Sequence, residues 1–362
     1  MMNNKFHFKV GVRCDTYNQA HRILDTLGGF SMQQTDFPFV CCIMDDCSTD
    51  NEQQVLREYM QTQCDLTSQP DYGVHNTSYG EVLYGPHLQN PNCFLAVVLL
   101  AENHLQKGKP RYPYFDEWMG APDYMCMCEG DDYWIAPDKL QRQADWMDAH
   151  PGCMLCFSDA QVLTNDGELD WHRFDTDTLV PPEAMIENKG NYMITCTLMM
   201  RFRIEQMRRN TPCTLQCHVC DYCWQILSAI EGEVYYFADK MAAYRYKMDE
   251  SSWNSQFAKD KKTNRFKMIK GAASEVNMLL GLDKMSQGRY HDLFIDRAIN
   301  YSMPFVFCPE YTTRQCREAR KVFAPIIRYY ESPQRIEIFA RAYGLRFVLK
   351  LVRRVKKLIG VE

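Results

Sequence analysis

The chain lacks a glycine-rich phosphate loop. Neither Gly-x-Gly-x-x-Gly nor the Walker pattern occurs in its 362 residues. A phosphate would therefore not be held by the backbone amides such loops supply. Long apolar runs are also missing. The longest, Phe94 to Ala101, falls far short of the roughly 20 residues a membrane span needs, and reads as a buried strand. No apolar core follows Met1-Met2-Asn3-Asn4-Lys5, so no signal peptide is expected. Strong charge is absent too, and a net charge of −5 argues against a general nucleic-acid binder. There is no repeat and no low-complexity tract. Plentiful aromatics and ordinary charge exclude disorder. The length suits one large α/β domain with a smaller appendage.

What is present is concentrated at strand ends. Tyr124 to Cys128 is a short apolar run that stops at three acids, Glu129, Asp131 and Asp132. Acids so crowded repel one another unless a divalent cation or a hydrogen-bonding ligand sits among them, and hard oxygen ligands suit Mg²⁺ or Mn²⁺. The plainer reading is an exposed turn before a helix N-terminus, where the dipole favours acids. Helix periodicity follows Pro137, from Asp138 to Met147. Phe39 to Met44 is a second apolar run, ending in Asp45-Asp46-Cys47-Ser48-Thr49-Asp50, with helical spacing from Glu52 to Met60. Phe6 to Val12 reads as a first strand, leading through Cys14-Asp15-Thr16-Tyr17-Asn18 to a helix ending near Leu27. Strand–helix–strand–helix is the rhythm of a doubly wound parallel sheet. Such sheets bind ligands at the carboxyl ends of their strands. Asp45 or Asp46 would accept hydrogen bonds from a base or ribose there.

Together these segments resemble the family 2 glycosyltransferases, which have the GT-A fold. Val12-Arg13-Cys14-Asp15-Thr16-Tyr17-Asn18 resembles that family's Pro-Thr-Tyr-Asn turn, with Asp15 at the proline. Met44 to Asp50 resembles its Val-Asp-Asp-Gly-Ser-Thr-Asp, with Cys47 at the glycine. Glu129-Gly130-Asp131-Asp132-Tyr133-Trp134 resembles the variant of the DXD motif found in bacterial polysaccharide-assembly enzymes. The resemblance covers roughly residues 6–250. It implies an α/β GT-A catalytic domain over 1–250 and a helical C-terminal region over 251–362. It also implies metal-dependent, inverting hexosyl transfer from a nucleotide diphosphate sugar, with a bias to UDP, onto a glycan or polyprenyl-linked hydroxyl in surface polysaccharide synthesis.

By the same resemblance Thr16, Tyr17, Asp45 and Asp46 hold the nucleoside. Asp131 binds Mn²⁺ or Mg²⁺ at the diphosphate, with Glu129 or Asp132 beside it. Lys107 or Lys109, in Ala101 to Lys109, faces the phosphates or is a solvated loop lysine. Inversion in one displacement needs a base for the acceptor proton. Asp221, in Cys220-Asp221-Tyr222-Cys223, fits best; its plainer reading is a helix cap. Tyr192 to Arg201 resembles a strand lining the acceptor side, and Arg245 of Tyr244-Arg245-Tyr246 an arginine that reaches the diphosphate. Two alternatives stay open: a sugar nucleotidyltransferase, and a catalytically inactive GT-A-like membrane adaptor.

Seventeen cysteines without an export signal are expected to be reduced, mostly buried thiols. Cys213, Cys217, Cys220 and Cys223, with His218 between, could bind zinc or an iron–sulfur cluster, but lack two separated Cys-x-x-Cys knuckles. Residues 66–92 read as an inserted surface loop. At the end of the chain Arg341, Arg346, Lys350, Arg353, Arg354, Lys356 and Lys357 flank a stripe of Leu345, Val348, Leu349, Val352, Val355 and Ile359. That pattern suits a helix lying on an anionic membrane surface, or one packed on its own domain or on a partner. The expected location is cytoplasmic, peripheral on the inner face of the inner membrane.

Overall fold

The apolar runs form the middle of a twelve-stranded mixed sheet in a computed structural model, which describes residues 7–171, 173–187, 193–217, 219–248 and 265–358, with Ser255 and Lys259. Its strands are β1 (Val10–Thr16), β2 (Phe39–Asp45), β3 (Gly73–Asn76), β4 (Gly80–His87), β5 (Asn90–Leu100), β6 (Tyr124–Met127), β7 (Tyr133–Trp134), β8 (Cys153–Thr164), β9 (Gly167–Leu169), β10 (Thr178–Leu179), β11 (Met199–Arg201) and β12 (Glu233–Arg245). The order is β10-β12-β8-β11-β6-β1-β2-β5-β4-β3, with β7 on β12 and β9 on β8. The neighbours β6, β1, β2 and β5 run parallel. Every residue of β2 is buried because both faces of the sheet are covered. Val10, Val12, Cys14, Cys41 and Ile43 pack with residues of helices α1 (Ile23–Ser31), α2 (Glu52–Gln63) and α4 (Lys139–Ala149). Val40, Cys42, Met44, Ala96 and Val98 meet Phe115, Trp118 and Met119 of α3 (Tyr112–Met119). Continuous hydrophobicity along a strand is what two covered faces require.

Three expectations shift. The first strand lies four residues later than Phe6 to Val12 suggested. Residues 66–92 are not a plain loop, since β3 and β4 form a hairpin whose second strand pairs antiparallel with β5. Its glycines hid the pattern: a Cβ on Gly80 would sit 2.0 Å from the Leu99 carbonyl oxygen, and one on Gly85 2.1 Å from that of Asp65. The stretch expected as a strand from Tyr192 is a 3₁₀ turn, Thr195–Thr197, before the short β11; Tyr192 itself lies outside the described residues.

The sheet belongs to one compact unit, residues 1–181, 190–206 and 231–248. A second unit gathers 182–189, 207–230 and 249–362. It thus draws on two segments before residue 250 as well as on the C-terminal region. Its helices include Cys220–Glu231, Ile269–Met285, His291–Val306, Thr313–Val322, Ser332–Tyr343 and Arg346–Leu358. Among the described residues no helix is long and apolar enough to cross a membrane. The 17 cysteines are free thiols, most of them buried.

Candidate functional site

Strand register brings the predicted residues to one edge. Thr16 pairs with Asp45 and Asp45 with Leu99, while Arg13 pairs with Met127. The turns after β1, β2, β5 and β6 therefore leave the sheet side by side. The Asp46 amide donates to the Thr16 carbonyl at 3.0 Å, and the Gly130 amide to that of Asp15 at 3.1 Å.

The two aspartates after β2 differ in use. Asp46 is committed: its Oδ1 accepts from the His104 amide at 2.6 Å and its Oδ2 from the Leu105 amide at 3.0 Å. It anchors the loop that carries Lys107. Asp45 is fully buried; its Oδ1 accepts from the Ser48 amide and Gln53 Nε2, at 3.0 and 2.6 Å. Its Oδ2 is buried without a partner. Burial pushes its carboxyl above the usual range. A buried acceptor with an empty lone pair costs about 1–3 kcal/mol, so a ligand donor there would remove that penalty. Of the two, Asp45 is the one with a carboxylate oxygen that no donor reaches.

Cys47 has φ +60°. Left-handed backbone costs a non-glycine residue about 1–2 kcal/mol, which explains the glycine in the motif it resembles. Asp15, at the expected proline, sits between two arginines. Arg13 Nε donates to its Oδ2 at 2.9 Å, and Arg111 lies 3.0 Å from its Oδ1.

In the acidic turn Glu129 is exposed, Asp131 half-buried and Asp132 buried. Asp132 points into the protein, where its Oδ1 accepts from the Arg245 amide at 2.8 Å. Burial first, then the Asp131 charge, pushes its carboxyl well above the usual range. Arg245 is not turned outward as expected for an arginine reaching a diphosphate. Its guanidinium donates to the Asp131 carbonyl at 2.8 Å and to the Asp25 carboxylate, and lies over the Tyr133 ring. It braces the acidic turn against α1. Lys107 and Lys109 both bind Glu102, holding that carboxyl down at about 2. Among the described residues no group of three or more His, Cys, Asp or Glu is placed to hold a metal ion. That holds for the three acids and for the four thiols at 213–223; His218 lies outside the described residues.

Gly130 is required by contact. A Cβ there would stand 2.2 Å from Thr16 Oγ1 and 2.6 Å from Thr16 Cβ. Gly130→Ala is expected to lower stability by about 1–3 kcal/mol, the cost of forcing atoms into a packed site, and to weaken ligand binding at the Thr16 edge. Thermal unfolding and calorimetry check it; wild-type values in both would show that Thr16 swings aside freely.

Thr16, Tyr17, Asp45, Asp46, Lys107, Glu129, Asp131 and Asp132 thus belong to one unit and, by register and hydrogen bonding, to one edge. Asp221 lies in the other unit, in the first turn of the helix Cys220–Glu231, its Oδ1 accepting from the Tyr222 amide at 2.8 Å. Sequence reasoning passed over Glu52. An acid in the first turn of a helix, two residues after Asp50, looks like an ordinary dipole partner. It is fully buried beneath Thr16.

No family model matches the chain. Uncharacterized proteins of Mycobacterium tuberculosis and Mycobacterium bovis are 26% identical to it over 257 residues, 68% of this chain. The match spans only 61% of those relatives' own length. Among solved structures, S. aureus TarS 1-349 in complex with UDP superposes with a TM-score of 0.58 at 13% identity, over 97% of this chain and 91% of that one. The same protein in complex with UDP-GlcNAc gives 0.58 at 14%, over 97% and 92%. At such identity the likeness shows the fold, an α/β GT-A domain with C-terminal helices.

Proposed function

We propose that this chain is an inverting glycosyltransferase that moves a hexosyl group from a UDP-sugar to a hydroxyl of a glycan or lipid-linked acceptor. The observation that carries the reading is Asp45 Oδ2: a buried acceptor without a donor, at the parallel-strand edge where α/β sheets bind nucleotides. Thr16, the last residue of β1, pairs with Asp45 in register, and Tyr17 follows it in the turn. The fold shared with a protein solved with UDP and with UDP-GlcNAc supports the donor class.

Asp131 and Glu129 fit a divalent cation. Mg²⁺ takes one or two carboxylates and completes its shell with water and substrate phosphates. Asp132 does not fit, because it is buried and bonded to Arg245. The cation would offset the charge of the diphosphate as it leaves. Arg245 holds the Asp131 turn in place, and the base for the acceptor's proton is assigned to Asp221 of the second unit by the motif resemblance alone.

UDP-sugar should bind at least tenfold more weakly in EDTA than with Mn²⁺, because bare carboxylates repel a diphosphate. Calorimetry in the two buffers decides it, and equal affinity would sink the metal role.

We also propose that the C-terminal helices rest on an anionic membrane surface. The structure changes the face that would do so. Gly344, at φ +69°, ends the helix Ser332–Tyr343, so the basic segment is two helices rather than one. Val352, from the expected stripe, is buried. Ile336, Phe339, Tyr343, Leu345, Phe347 and Leu351 are exposed large apolar side chains, with Lys350 and Arg354, and of these only Leu345 belongs to the expected stripe.

A further inference from the structure

Glu52 is a buried carboxylate that the proposed chemistry does not use. It accepts three hydrogen bonds from three separate points: Thr16 Oγ1 at the tip of β1, the Gln19 amide at 2.7 Å, and Ser48 Oγ at 2.9 Å. Ser48 in turn accepts from the Asn18 amide at 2.9 Å and donates its own amide to Asp45 Oδ1. One carboxylate thus ties the turn after β1 to the turn after β2, and Asp45, paired with Thr16 in register, stands where both turns begin. We infer that Glu52 is a positioning residue for the nucleotide site, and that its ionised carboxylate sets the spacing of the Thr16–Gln19 and Asp45–Ser48 turns that receive the nucleoside. This inference rests on the nucleotide-sugar reading above.

The chemistry of the acceptor explains the dependence on charge. An ionised carboxylate only accepts, and its two oxygens serve all three donors. Protonated, one oxygen becomes a donor, so either the Thr16 or Ser48 hydroxyl must reverse to accept from it or one of the three bonds must break. The titratable groups facing Glu52 are Asp45 on β2, the Cys14 thiol of β1, and Asp50, whose Oδ1 accepts from the Glu52 amide at 3.0 Å. Burial, then the Asp45 charge among the raising influences, lifts the Glu52 carboxyl to about 6, against the three hydrogen bonds that lower it.

The signs of two effects then oppose. With its folded-state value raised, Glu52's contribution to stability is fully present below the unfolded value and fades as pH rises through about 6. Ligand affinity moves the other way, because the clamp forms only as the proton leaves. A residue that merely supported the fold would move both together.

The test is UDP-GlcNAc affinity in Mn²⁺ between pH 5 and 8, for the full chain and for Glu52→Gln. The pyrophosphate diester of this probe does not titrate in that window. The wild type should bind about tenfold more tightly at pH 8 than at pH 5, one lost hydrogen bond to a charged group being worth about that much. Glu52→Gln should bind at pH 8 as the wild type binds at pH 5, with a flat profile. Should Glu52→Gln not fold, Ser48→Ala removes one of the three donors to Glu52, together with the acceptor of the Asn18 amide, and should reduce the wild-type pH step. A flat wild-type profile, or Glu52→Gln with wild-type affinity at pH 8, overturns this inference while leaving the nucleotide-sugar reading standing. No binding at any pH overturns both.

Discussion

Asp221→Asn is expected to cut turnover about 10²–10⁴-fold while leaving UDP-sugar affinity at the wild-type value, the range lost when a general base is removed. The substitution is close to isosteric. Asparagine keeps an oxygen where Asp221 Oδ1 accepts from the Tyr222 amide, so the helix start survives. What it loses is the ability to take a proton in the transition state, and an interaction made only there lowers kcat without changing donor binding. Asp131→Asn is expected to fail differently. It removes negative charge from the cation's site, so donor affinity and turnover fall together. Steady-state kinetics with calorimetry on both variants separates the two patterns. Near-normal turnover in Asp221→Asn would place the base elsewhere. A drop in donor affinity equal to the drop in turnover would make Asp221 a binding or folding residue.

The strand–turn–helix rhythm of the first 60 residues was legible because β2 is continuously apolar up to Asp45, and β1 is apolar except at Arg13 and Asp15 before it ends at Thr16. Two covered faces demand apolar strands, and a ligand-binding edge tolerates acids near their ends. The fold class and the edge follow from that. Less legible was which acid does what. Asp45 and Asp46 are adjacent in sequence, and the 103–105 loop folding onto Asp46 distinguishes the anchor from the buried, unpartnered acceptor. Asp131 and Asp132 are separated in the same way by Arg245, which lies more than a hundred residues away. Such assignments depend on long-range partners that no local pattern encodes. The β3–β4 hairpin was hidden for another reason. Its glycines read as loop signals, but they let neighbouring carbonyls approach closer than any side chain would allow.

Phe347→Asp combined with Leu351→Asp is expected to abolish binding to vesicles rich in anionic lipid, with unfolding temperature and UDP-sugar affinity unchanged. Phe347 is 80% exposed and Leu351 53%. They lie one helical turn apart, so they point the same way. Phe339 and Tyr343 of the preceding helix repeat that spacing, and Arg320 lies over both rings. An exposed apolar face edged by cations has water as its poorer solvent and an anionic interface as its better one. Each basic residue near such a surface adds about 1 kcal/mol, and the attraction weakens as salt shortens the Debye length. Binding should therefore fall in high salt for the wild type as well. Deleting residues 345–362 removes the whole face beyond Gly344, but it also removes the buried Val352. The double substitution leaves that packing intact and is the cleaner measurement. Vesicle binding that survives both charges would remove the membrane from the proposal. A monomer produced from an oligomer by the same change, with no vesicle binding in the parent, would make the face a contact between copies of the chain.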